Sequence, residues 1–455
     1  MNRRLLLGVL FAATFPSQAC TDDGTRNQGT RDFQWRELEI PEFRETKHLT
    51  DTKVYRLRKS DEFLFVLSRG TYLNGDDPRT SYVGHVDAHD TITLTDLKDV
   101  TERNTKNHLF SELFTQDIAD AHVHVTGYDS DHVWVSWTCG LDTHVCAIRS
   151  EDRGKSFDDG TFSITRATGA LDSTHEPSML CNCETDCVLT WGEERSKSTF
   201  DMYARRFTEN GWCSPNKKQR IGDGLGIPLE MSTAVGNNSY LVSAVDPAWL
   251  GLKGTTLRSA NLTYESNECN AEVDRMRVVD SGFAFRSKAA DGFHYNGSAG
   301  NIAPRCSIPS LPTWQIYSTG FALSAVRRNT NGEIDASARF GDPDPRISVM
   351  AGNVDFDGER FFVFYHKFRG LDHAEDPNTY SICYRSTEDA HSLNWSEESC
   401  PVVGLPGLTA PGKNFQNMIQ PVGSAWHGNV SIIFQKDCGS EACTLALKRL
   451  ESDPP

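Results

Sequence analysis

The sequence has little positive charge for its size. Lys and Arg together number 46 against 62 Asp and Glu, which gives a formal net charge of -16 at pH 7. Because the phosphate backbone of a nucleic acid is also negative, such a chain lacks the main driving force for sequence-independent binding to DNA or RNA. We therefore expect no nucleic acid among its partners.

Long helical patterns are also missing. We find no extended run that places apolar residues at the three- and four-residue spacing of an amphipathic helix. The N-terminal apolar run, LLLGVLFAATF at 5–15, is too short to span a bilayer as a stable anchor. These absences argue against a helical fold and against a helical membrane anchor.

The composition that remains is that of a soluble globular chain. It has 455 residues, 38% of them hydrophobic, and a mean hydropathy of -0.48, so it is long enough to bury a large core. No linker or shift in composition divides the chain between Arg31 and Leu450. We therefore expect one domain over residues 31–455.

The N-terminus is typical of an export signal, because the basic start NRR precedes the apolar run. Small residues end this segment at Ala19, and Cys20 follows, then the polar stretch TDDGTRNQGT. This order resembles a bacterial lipoprotein, with a signal peptide over 1–19 and a lipidated Cys20 on a polar tether over 20–30. The alternative is ordinary cleavage after Ala19 that leaves Cys20 unmodified. The resemblance implies an outer-membrane lipoprotein in the cell envelope, and the alternative implies a periplasmic or secreted protein.

The cysteine count fits an exported protein. Of the 13 cysteines, assigning Cys20 to lipid leaves 12, enough for six disulfides in an oxidising compartment. The cluster CNCETDC could bind zinc, but disulfides are favoured and no metal site is predicted. The short spacings of Cys139 with Cys146 and of Cys438 with Cys443 suit a disulfide across a tight hairpin. Cys383 and Cys400 are a third candidate pair, which would join two strands.

Short strand-like segments rich in Val, Ile, Phe, Tyr and Trp recur between Gly, Asp and Asn turns, as in FLFVLS, HVWVSW and FFVFYH. They form roughly six or seven units at spacings of about 50 to 70 residues, which suits propeller blades better than solenoid rungs. The sequence therefore predicts an all-β fold, a single β-propeller of six to seven four-stranded blades. The weak repeat over 278–340 leaves the blade count open.

One short motif is more specific than the repeat. In IRSEDRGKSF, Ser150, Asp152, Gly154 and Phe157 are spaced as in the Asp box of sialidase-like propellers, which this chain resembles. An aspartate can accept backbone N–H bonds in a tight turn, glycine allows positive φ, and the aromatic side chain packs against the blade. In that family the boxes lie away from the substrate pocket, so the resemblance implies a structural role for Asp152.

A degenerate second copy keeps the residue types of the box in order. In CYRSTEDAHSLNW, Ser386, Asp389 and Trp395 follow one another with extra residues between them. Together, one complete and one degenerate box favour the sialidase-like resemblance.

A second resemblance concerns chemistry. In VYRLRKSDEFLFVLSRG, Tyr55 and Arg56 match the first two positions of the family's Phe/Tyr-Arg-Ile-Pro signature, although Arg58 replaces the proline. The resemblance implies that Arg56 holds a substrate carboxylate and that Asp76 or Asp77 serves as the acid. We take Arg56, Asp76 and Asp77 as the catalytic candidates.

Other candidates are less specific. Arg346 and Glu194 are substrate-binding candidates, and a surface role is the alternative for each. The family's tyrosine and glutamate pair stays unassigned, because Tyr365 and Tyr384 lie in strand-like segments where a packed tyrosine is more common. Asp342 and Asp344 offer oxygen ligands suited to structural calcium, although such acidic turns more often end a strand. No cofactor is expected.

Taken together, these features predict an exported, lipid-anchored, sialidase-like propeller that recognises glycans. Whether it also hydrolyses terminal sialic acid is open. The alternative is a non-catalytic protein-interaction or envelope-scaffold propeller, because one fold serves many functions. The expected partner is a glycan or a surface protein, the membrane is contacted only through the lipid, and the chain is expected to be a monomer.

Overall fold

Antiparallel β-sheet makes up almost all of the regular structure in the computed structural model of this chain, which confirms the all-β prediction. Within the described residues there is one α-helix, α1 (Leu97–Thr105). The structure describes residues 33–40, 49–57, 60, 62–69, 80–105, 123–127, 131–140, 143–168, 174–183, 186–196, 199–214, 218–225, 233–236, 239–246, 255–265, 268–274, 277–283, 312–318, 323–329, 333–344, 347–369, 380–405, 423–426, 428–436 and 444–452.

The first strand of the chain, β1 (Phe33–Ile40), belongs to the last sheet, and the next three sheets follow in chain order. The first sheet consists of β2 (Leu49–Arg56), β3 (Phe63–Arg69), β4 (Thr80–Val86) and β5 (Ile92–Asp96). The second consists of β6 (His124–Gly127), β7 (Val133–Cys139), β8 (His144–Ser150) and β9 (Asp158–Arg166). The third consists of β10 (Thr174–Cys183), β11 (Asp186–Ser196), β12 (Thr199–Thr208), β13 (Gly211–Trp212) and β14 (Gln219–Leu225).

The remaining four sheets continue the same order. The fourth consists of β15 (Thr233–Gly236), β16 (Ser239–Asp246), β17 (Thr255–Tyr264), β18 (Ala271–Val273) and β19 (Arg277–Phe283). The fifth has three described strands, β20 (Thr313–Ser318), β21 (Leu323–Arg328) and β22 (Ile334–Phe340). The sixth consists of β23 (Ile347–Phe356), β24 (Phe361–Arg369), β25 (Tyr380–Ser386) and β26 (Ser399–Leu405). The seventh pairs β27 (Gly423–Trp426), β28 (Asn429–Lys436) and β29 (Thr444–Ser452) with β1.

The seventh sheet joins the two ends of the chain. β1 pairs with β29 antiparallel along its whole length, from Phe33 opposite Ser452 to Ile40 opposite Leu445. An antiparallel ladder of this length ties the termini together through backbone hydrogen bonds that lie far apart in sequence. The first and last strands therefore complete one sheet between them.

Neighbouring sheets are in contact all the way round. First strands of successive sheets lie against each other, as β2 does against β6 and β27, and β23 against β27. Between the fourth and fifth sheets, Arg328 donates a 3.0 Å hydrogen bond to the hydroxyl of Ser259. The arrangement of the described sheets is therefore propeller-like, each sheet meeting the next and the seventh meeting the first.

The hydrophobic core lies between sheets. One cluster joins Tyr55 and Leu64 of the first sheet to Val135 and Trp137 of the second, and four further clusters fill other junctions. Second strands carry much of this core, and every residue of β7 is buried. Strands buried on both faces suit the near-continuous apolar runs that the sequence shows. Trp137 and Trp191 are fully buried, and Trp395 packs edge-on against Trp314 at 5.1 Å.

Connections at the two ends of the strands differ in length. At one end, termed the long-connection face, the connections include residues 70–79, 97–123, 370–379 and 406–422. At the other end, termed the short-connection face, most span only a few residues, such as 57–62, 128–132, 184–185 and 357–360, and the longest is 387–398. Long connections on one side of a rigid scaffold are the usual place for binding residues.

Contacts across the junctions show that the short connections share one face. Arg153, in the connection from β8 to β9, donates to Glu62, in the connection from β2 to β3, at 3.0 Å. Gly428, between β27 and β28, donates its N–H to Asp357, between β23 and β24, also at 3.0 Å. Side chains and backbone groups of neighbouring sheets thus join the short connections to each other.

Four disulfides occur among the described residues, namely Cys139–Cys146, Cys181–Cys187, Cys213–Cys269 and Cys383–Cys400. They indicate an oxidising compartment outside the cytoplasm. Two of them are pairs that the spacing singled out, and the third predicted pair, Cys438 with Cys443, lies outside the described residues, as does Cys20. Among the described residues, no helix has the length and hydrophobicity needed to cross a membrane.

The turn over 150–157 is built from contacts within a few residues of chain. Ser150 Oγ donates to Asp152 Oδ1 at 2.8 Å and accepts the N–H of Gly154 at 2.7 Å. The Asp152 carboxylate also accepts the N–H and the hydroxyl of Ser156, at 2.8 and 2.6 Å. Phe157 is buried in the core between the first and second sheets. The short side chains therefore close the turn, and the aromatic ring holds it against the sheets.

Gly154 is the position in this turn that no other residue suits. Its φ is +81°, and a Cβ there would lie 2.6 Å from Leu64 Cδ2 in the neighbouring sheet. Gly211 has a similar φ of +89°, but nothing lies within 4 Å of the corresponding Cβ position. Substitution of Gly211 therefore tests the backbone conformation alone, whereas substitution of Gly154 tests the backbone conformation and the steric contact together.

We predict that Gly154→Ala lowers the free energy of unfolding more than Gly211→Ala does. Both variants carry the cost of an L-residue at positive φ, and Gly154→Ala adds overpacking against Leu64, worth about 1–3 kcal/mol. Urea unfolding of the two variants and the parent, followed by circular dichroism, measures the difference. Equal losses of stability in both variants would show that the packing against Leu64 has no energetic weight.

Candidate functional site

Most of the candidates that the sequence singled out lie in or beside connections whose described flanking residues are at the long-connection face. Asp76 and Asp77 lie in the 70–79 connection, outside the described residues, but its flanking residues Arg69 and Thr80 pair with each other at this end of the first sheet. Arg346 also lies outside the described residues, directly before Ile347, which pairs with Arg369 at the end of β24. When Glu194 is included, three segments that are distant in sequence therefore lead to the same end of the sheets.

Glu194 is the described member of this set. It lies near the end of β11, opposite Phe200, and its side chain is partly exposed. Beside it, Asp201 holds Arg220 at 2.9 Å and lies 3.9 Å from Arg195, and both guanidinium groups are about half exposed. Carboxylates and exposed guanidinium groups on one sheet edge can donate and accept hydrogen bonds with a polar ligand.

Glu193, the preceding residue, has the opposite environment. Its carboxylate is fully buried, where it accepts the indole N–H of Trp191 at 2.9 Å and the backbone N–H of Thr168 at 2.8 Å and pairs with Lys218. Successive residues of a strand point to opposite faces, so one glutamate enters the core and the other faces the edge. Burial together with the negative charge of Glu193 raises the pKa of Tyr203.

A tyrosine and glutamate pair exists in the sixth sheet, although the sequence alone did not reveal it. Tyr365, on β24, donates its hydroxyl to Glu398 Oε2 at 2.7 Å, and Arg385 Nε donates to the same hydroxyl at 3.2 Å. Lys367 bridges Glu398 Oε1 and Asp342 Oδ2. The signal that could have found the pair is weak, since 33 residues separate the two side chains in sequence.

The environment of this pair is that of a core contact. Tyr365 is fully buried and stacks on Phe340, and burial together with the hydrogen bond to Glu398 raises the pKa of its hydroxyl strongly. A tyrosine nucleophile needs the opposite, a lowered pKa and access to the substrate. The hydrogen bond of the pair lies within the sixth sheet, and the ring of Tyr365 packs against Phe340 of the fifth, as the sequence predicted for Tyr365 as a packed residue.

The groups around the pair also bear on metal binding. Sulfur atoms of Cys383 and Cys400 and a carboxylate oxygen of Glu398 lie within 4.8 Å of one another, but the two cysteines form a disulfide. Asp342, considered for calcium, has the ammonium of Lys367 at 2.6 Å from its Oδ2. Hydrogen bonds and the charge of Lys367 lower the pKa of Asp342 against the raising effect of burial.

Arg56 lies at the other end of the first sheet. It pairs with Phe63 at the short-connection end, a full strand length away from Arg69 and the connection that carries Asp76 and Asp77. The residue is 2% exposed, its Nη2 donates to Ser431 Oγ at 3.2 Å, and its backbone N–H donates to Ser424 Oγ at 3.1 Å. These contacts join the first sheet to the seventh, and the expected role of Arg56 with a substrate stays a prediction.

Phe63 lies between two guanidinium groups. The Arg56 guanidinium carbon lies 4.1 Å from the centre of the ring, and that of Arg449, from the seventh sheet, lies 3.9 Å from it. Arg449 is also buried and pairs with Asp90 of the first sheet at 3.2 Å. Cation–π contacts of desolvated arginines are among the stronger ones.

Both box-like segments lie on the short-connection face. Each joins the third and fourth strands of its sheet, 151–157 in the second sheet and 387–398 in the sixth. In the second segment the Asp389 carboxylate accepts hydrogen bonds from the backbone N–H groups of His391 and Ser392, at 2.7 and 2.8 Å. Thr387 and Trp395 form an isolated antiparallel β-bridge. These turns therefore lie at the opposite end of the sheets from Glu194 and from Arg69, Thr80 and Ile347, the described residues beside the other candidates.

A charged network links the first two sheets at the short-connection face. Glu62 accepts hydrogen bonds from Arg153 at 3.0 Å and lies 2.8 Å from the buried His85 Nε2, and Arg153 also donates to Asp131 at 2.8 Å. Although burial alone would raise the pKa of Glu62, these hydrogen bonds lower it below its ordinary value. Arg153 has a φ of +68°, a backbone conformation that residues other than glycine rarely adopt, and its contacts stabilise this conformation.

No family model and no curated protein matches the chain. Among solved structures, a protein of unknown function from Dyadobacter fermentans is similar at 10% identity and a TM-score of 0.46, covering 92% of this chain and 99% of that one. The polysaccharide lyase Uly1 has 10% identity and a TM-score of 0.45, covering 90% and 91%. A neuraminidase-like protein of A/flat-faced bat/Peru has 9% identity and a TM-score of 0.40, covering 92% and 94%. These low values establish no shared activity.

We predict that Arg56→Ala lowers the free energy of unfolding by about 2–4 kcal/mol, because it removes a buried group that several partners surround. Ligand binding per folded molecule is expected to stay unchanged, since the guanidinium donates to Ser431 of the seventh sheet at the short-connection end. Lys155→Ala, which removes an exposed positive charge from the short-connection face, is the control for loss of charge. A fully stable Arg56→Ala protein that had lost ligand binding would assign Arg56 to the binding site instead.

We also predict that acid destabilises the chain partly through Glu62. Because the pKa of Glu62 is lower in the folded state, its contribution is complete above its ordinary pKa and is lost as the pH falls through the folded value. Glu62→Gln should therefore be about 1–3 kcal/mol less stable at pH 7 and should lose less further stability on acidification. Thermal unfolding across the acidic range checks this, with exposed Glu272→Gln as the control; a pH profile for Glu62→Gln equal to the parent's would contradict it.

Proposed function

We propose that this protein is an exported glycan-binding β-propeller whose ligand binds at the long-connection face. The observation that supports the proposal is that Arg69, Thr80 and Ile347, which flank the connections bearing Asp76, Asp77 and Arg346, lie at the same end of the sheets as Glu194. The box-like turns and Arg56 lie at the other end of the sheets. Binding residues on the loops of a rigid scaffold are a common arrangement.

The proposal includes seven blades. Seven described sheets follow one another, consecutive sheets are in contact, and β1 completes the last sheet beside β29. The pairing of the first strand with the last supports a closed ring, because it fixes the start of the chain to the seventh sheet, which contacts the first sheet. Six of the sheets contain at least four described strands, which fits the four-stranded blades expected from the sequence.

A glycan is proposed as ligand on the chemistry of the candidate residues. Carboxylates and guanidinium groups bind hydroxyls and acidic sugars through charge-assisted hydrogen bonds. The sialidase-like resemblance of the sequence, on the Ser150 to Phe157 motif, supports the same class of ligand. The carboxylate of an acidic sugar would pair with Arg346. The carboxylates of Asp76, Asp77 and Glu194 would accept hydrogen bonds from its hydroxyl groups.

We propose binding without hydrolysis. Sialidase-type hydrolysis needs an activated tyrosine beside the substrate, whereas the described tyrosine and glutamate pair, Tyr365 with Glu398, is buried and has a raised pKa at the hydroxyl. Arg56 likewise contacts the seventh sheet. These two environments support a binding protein over an exo-glycosidase.

The proposed location is the cell envelope. The four described disulfides indicate an oxidising compartment. We propose in addition that Cys20 carries a lipid, on the basis of the signal-like segment and the polar residues that follow it.

A second candidate function is protein binding. Leu393 is 51% exposed in the connection before β26, and Val403 on β26 is 65% exposed. Exposed apolar side chains on an outer strand would suit a protein partner better than a sugar. This candidate places the contact on the sixth sheet and so differs in location from the glycan proposal.

We predict that residues 21–455 bind sialylated or other acidic glycans on an array and do not turn over a fluorogenic sialoside. The double variant Asp76→Asn with Asp77→Asn, and separately Glu194→Gln, should weaken binding about tenfold or more, the equivalent of one or two charge-assisted hydrogen bonds. Glu151→Gln on the short-connection face is the matched control and should bind as the parent does.

Three results would count against this assignment. Turnover of the sialoside by the parent would make the protein an enzyme. Absence of glycan binding by a folded protein would favour the protein-binding candidate, which Leu393→Ser and Val403→Ser variants then test. Equal weakening by Glu151→Gln would show that the long-connection face is not the site.

A further inference from the structure

The first described strand has a defined direction in the ring. Ile40 lies opposite Leu445, and the connection that follows it leads to Leu49, which pairs with Arg69 beside the 70–79 connection. Ile40 is therefore at the long-connection face. Phe33, seven residues earlier on the same strand, lies opposite Ser452 at the short-connection face.

We infer that the segment preceding Phe33 joins the ring at the short-connection face, so that a lipid on Cys20 holds this face toward the membrane. The long-connection face then projects away from the bilayer, where ligands reach it. This inference rests on the lipid attachment in the proposed function and adds the orientation of the molecule.

Distances along the chain support a preferred orientation. Strands of seven to ten residues, such as β3 and β23, give the ring a height of about 25–30 Å. A random coil of the same number of residues as 21–32 has an end-to-end distance of about 20 Å, and at full extension it reaches about 40 Å. Turning the long-connection face toward the membrane would require the segment to stretch past the whole ring, which costs chain entropy.

The charge of the short-connection face indicates whether the tether or adsorption to lipid keeps this face near the membrane. Acidic residues dominate its exposed side chains, and such a face is repelled by anionic lipid headgroups. The tether, rather than adsorption, therefore sets the orientation, and the face stays close to the bilayer without inserting. Exposed acidic residues described on these connections include Glu151, Asp152, Glu209, Glu265, Glu268, Glu359, Glu388, Asp389 and Glu397.

Energy transfer measures the orientation directly. The full chain, produced in a bacterium that lipidates exported proteins, is reconstituted into phosphatidylethanolamine and phosphatidylglycerol vesicles that contain an acceptor-labelled lipid. A donor dye is attached at Leu393→Cys, on the short-connection face, or at Ser196→Cys, at the end of β11 on the other face; both positions are exposed. The parent chain, treated with the same dye, measures labelling of its own cysteines, and Cys20→Ser tests attachment.

We expect the lipidated chain to bind the vesicles, Cys20→Ser to lose that binding, and transfer to be stronger from position 393 than from position 196. Attachment through Cys20 with equal transfer, or with stronger transfer from position 196, would overturn the orientation and leave the lipid anchor in place. Failure of the parent to attach would overturn the anchor and the orientation together. Glycan binding by soluble residues 21–455 is independent of all three outcomes.

Discussion

The structure depends on polar side chains that cross from one sheet to the next through buried junctions. Each sheet is largely apolar between its neighbours, and apolar packing alone does not set the angle or register between two sheets. A hydrogen bond from a buried guanidinium helps to set this angle and register, because a buried charge without a partner would be costly. Side chains that cross the seven junctions between described sheets include Arg153, Arg205, Arg206, Arg328, Arg327, Asp357 and, from first to seventh, Arg56.

Arg205 and Arg328 show what such a crossing involves. Arg205 donates to the hydroxyls of Ser163 and Thr165 at 2.7 and 2.8 Å, and Arg328 donates to Ser259, so neither of these bonds is to a carboxylate. Burial lowers the pKa of each guanidinium to about 10, yet both remain protonated at neutral pH. Their charge stays in the junction because neutral oxygens solvate it, and Arg205 also binds the carbonyl of Cys213.

Contacts between neighbouring sheets constrain both ends of the strands. Short connections such as 57–62 and 357–360 are joined to their neighbours through Glu62 and Asp357, so a change in their length would break junction contacts. Contacts between sheets also occur at the long-connection end, where the backbone N–H of Thr168 donates to Glu193. One fold can serve many functions, so the fold alone does not specify the ligand.

The sequence by itself determined the features that depend on neighbouring residues. Alternating apolar segments and turns predicted the strands, and the spacing of Ser150, Asp152 and Gly154 anticipated contacts that span only four residues. The spacing of Cys139 and Cys146 likewise brings together two residues on adjacent strands. Such contacts are set by local backbone geometry, and a single sequence contains that information.

Only the tertiary structure decided the contacts between residues far apart in the chain. Arg56 meets Ser431 across a separation of 375 residues, and the disulfide from Cys213 to Cys269 joins two different sheets. Whether Glu193 or Glu194 is buried, and whether Tyr365 has a partner, depends on which sheet packs alongside. Burial and pairing of a side chain are set by whatever surrounds it in the folded chain, and the pattern of its own segment does not contain those neighbours.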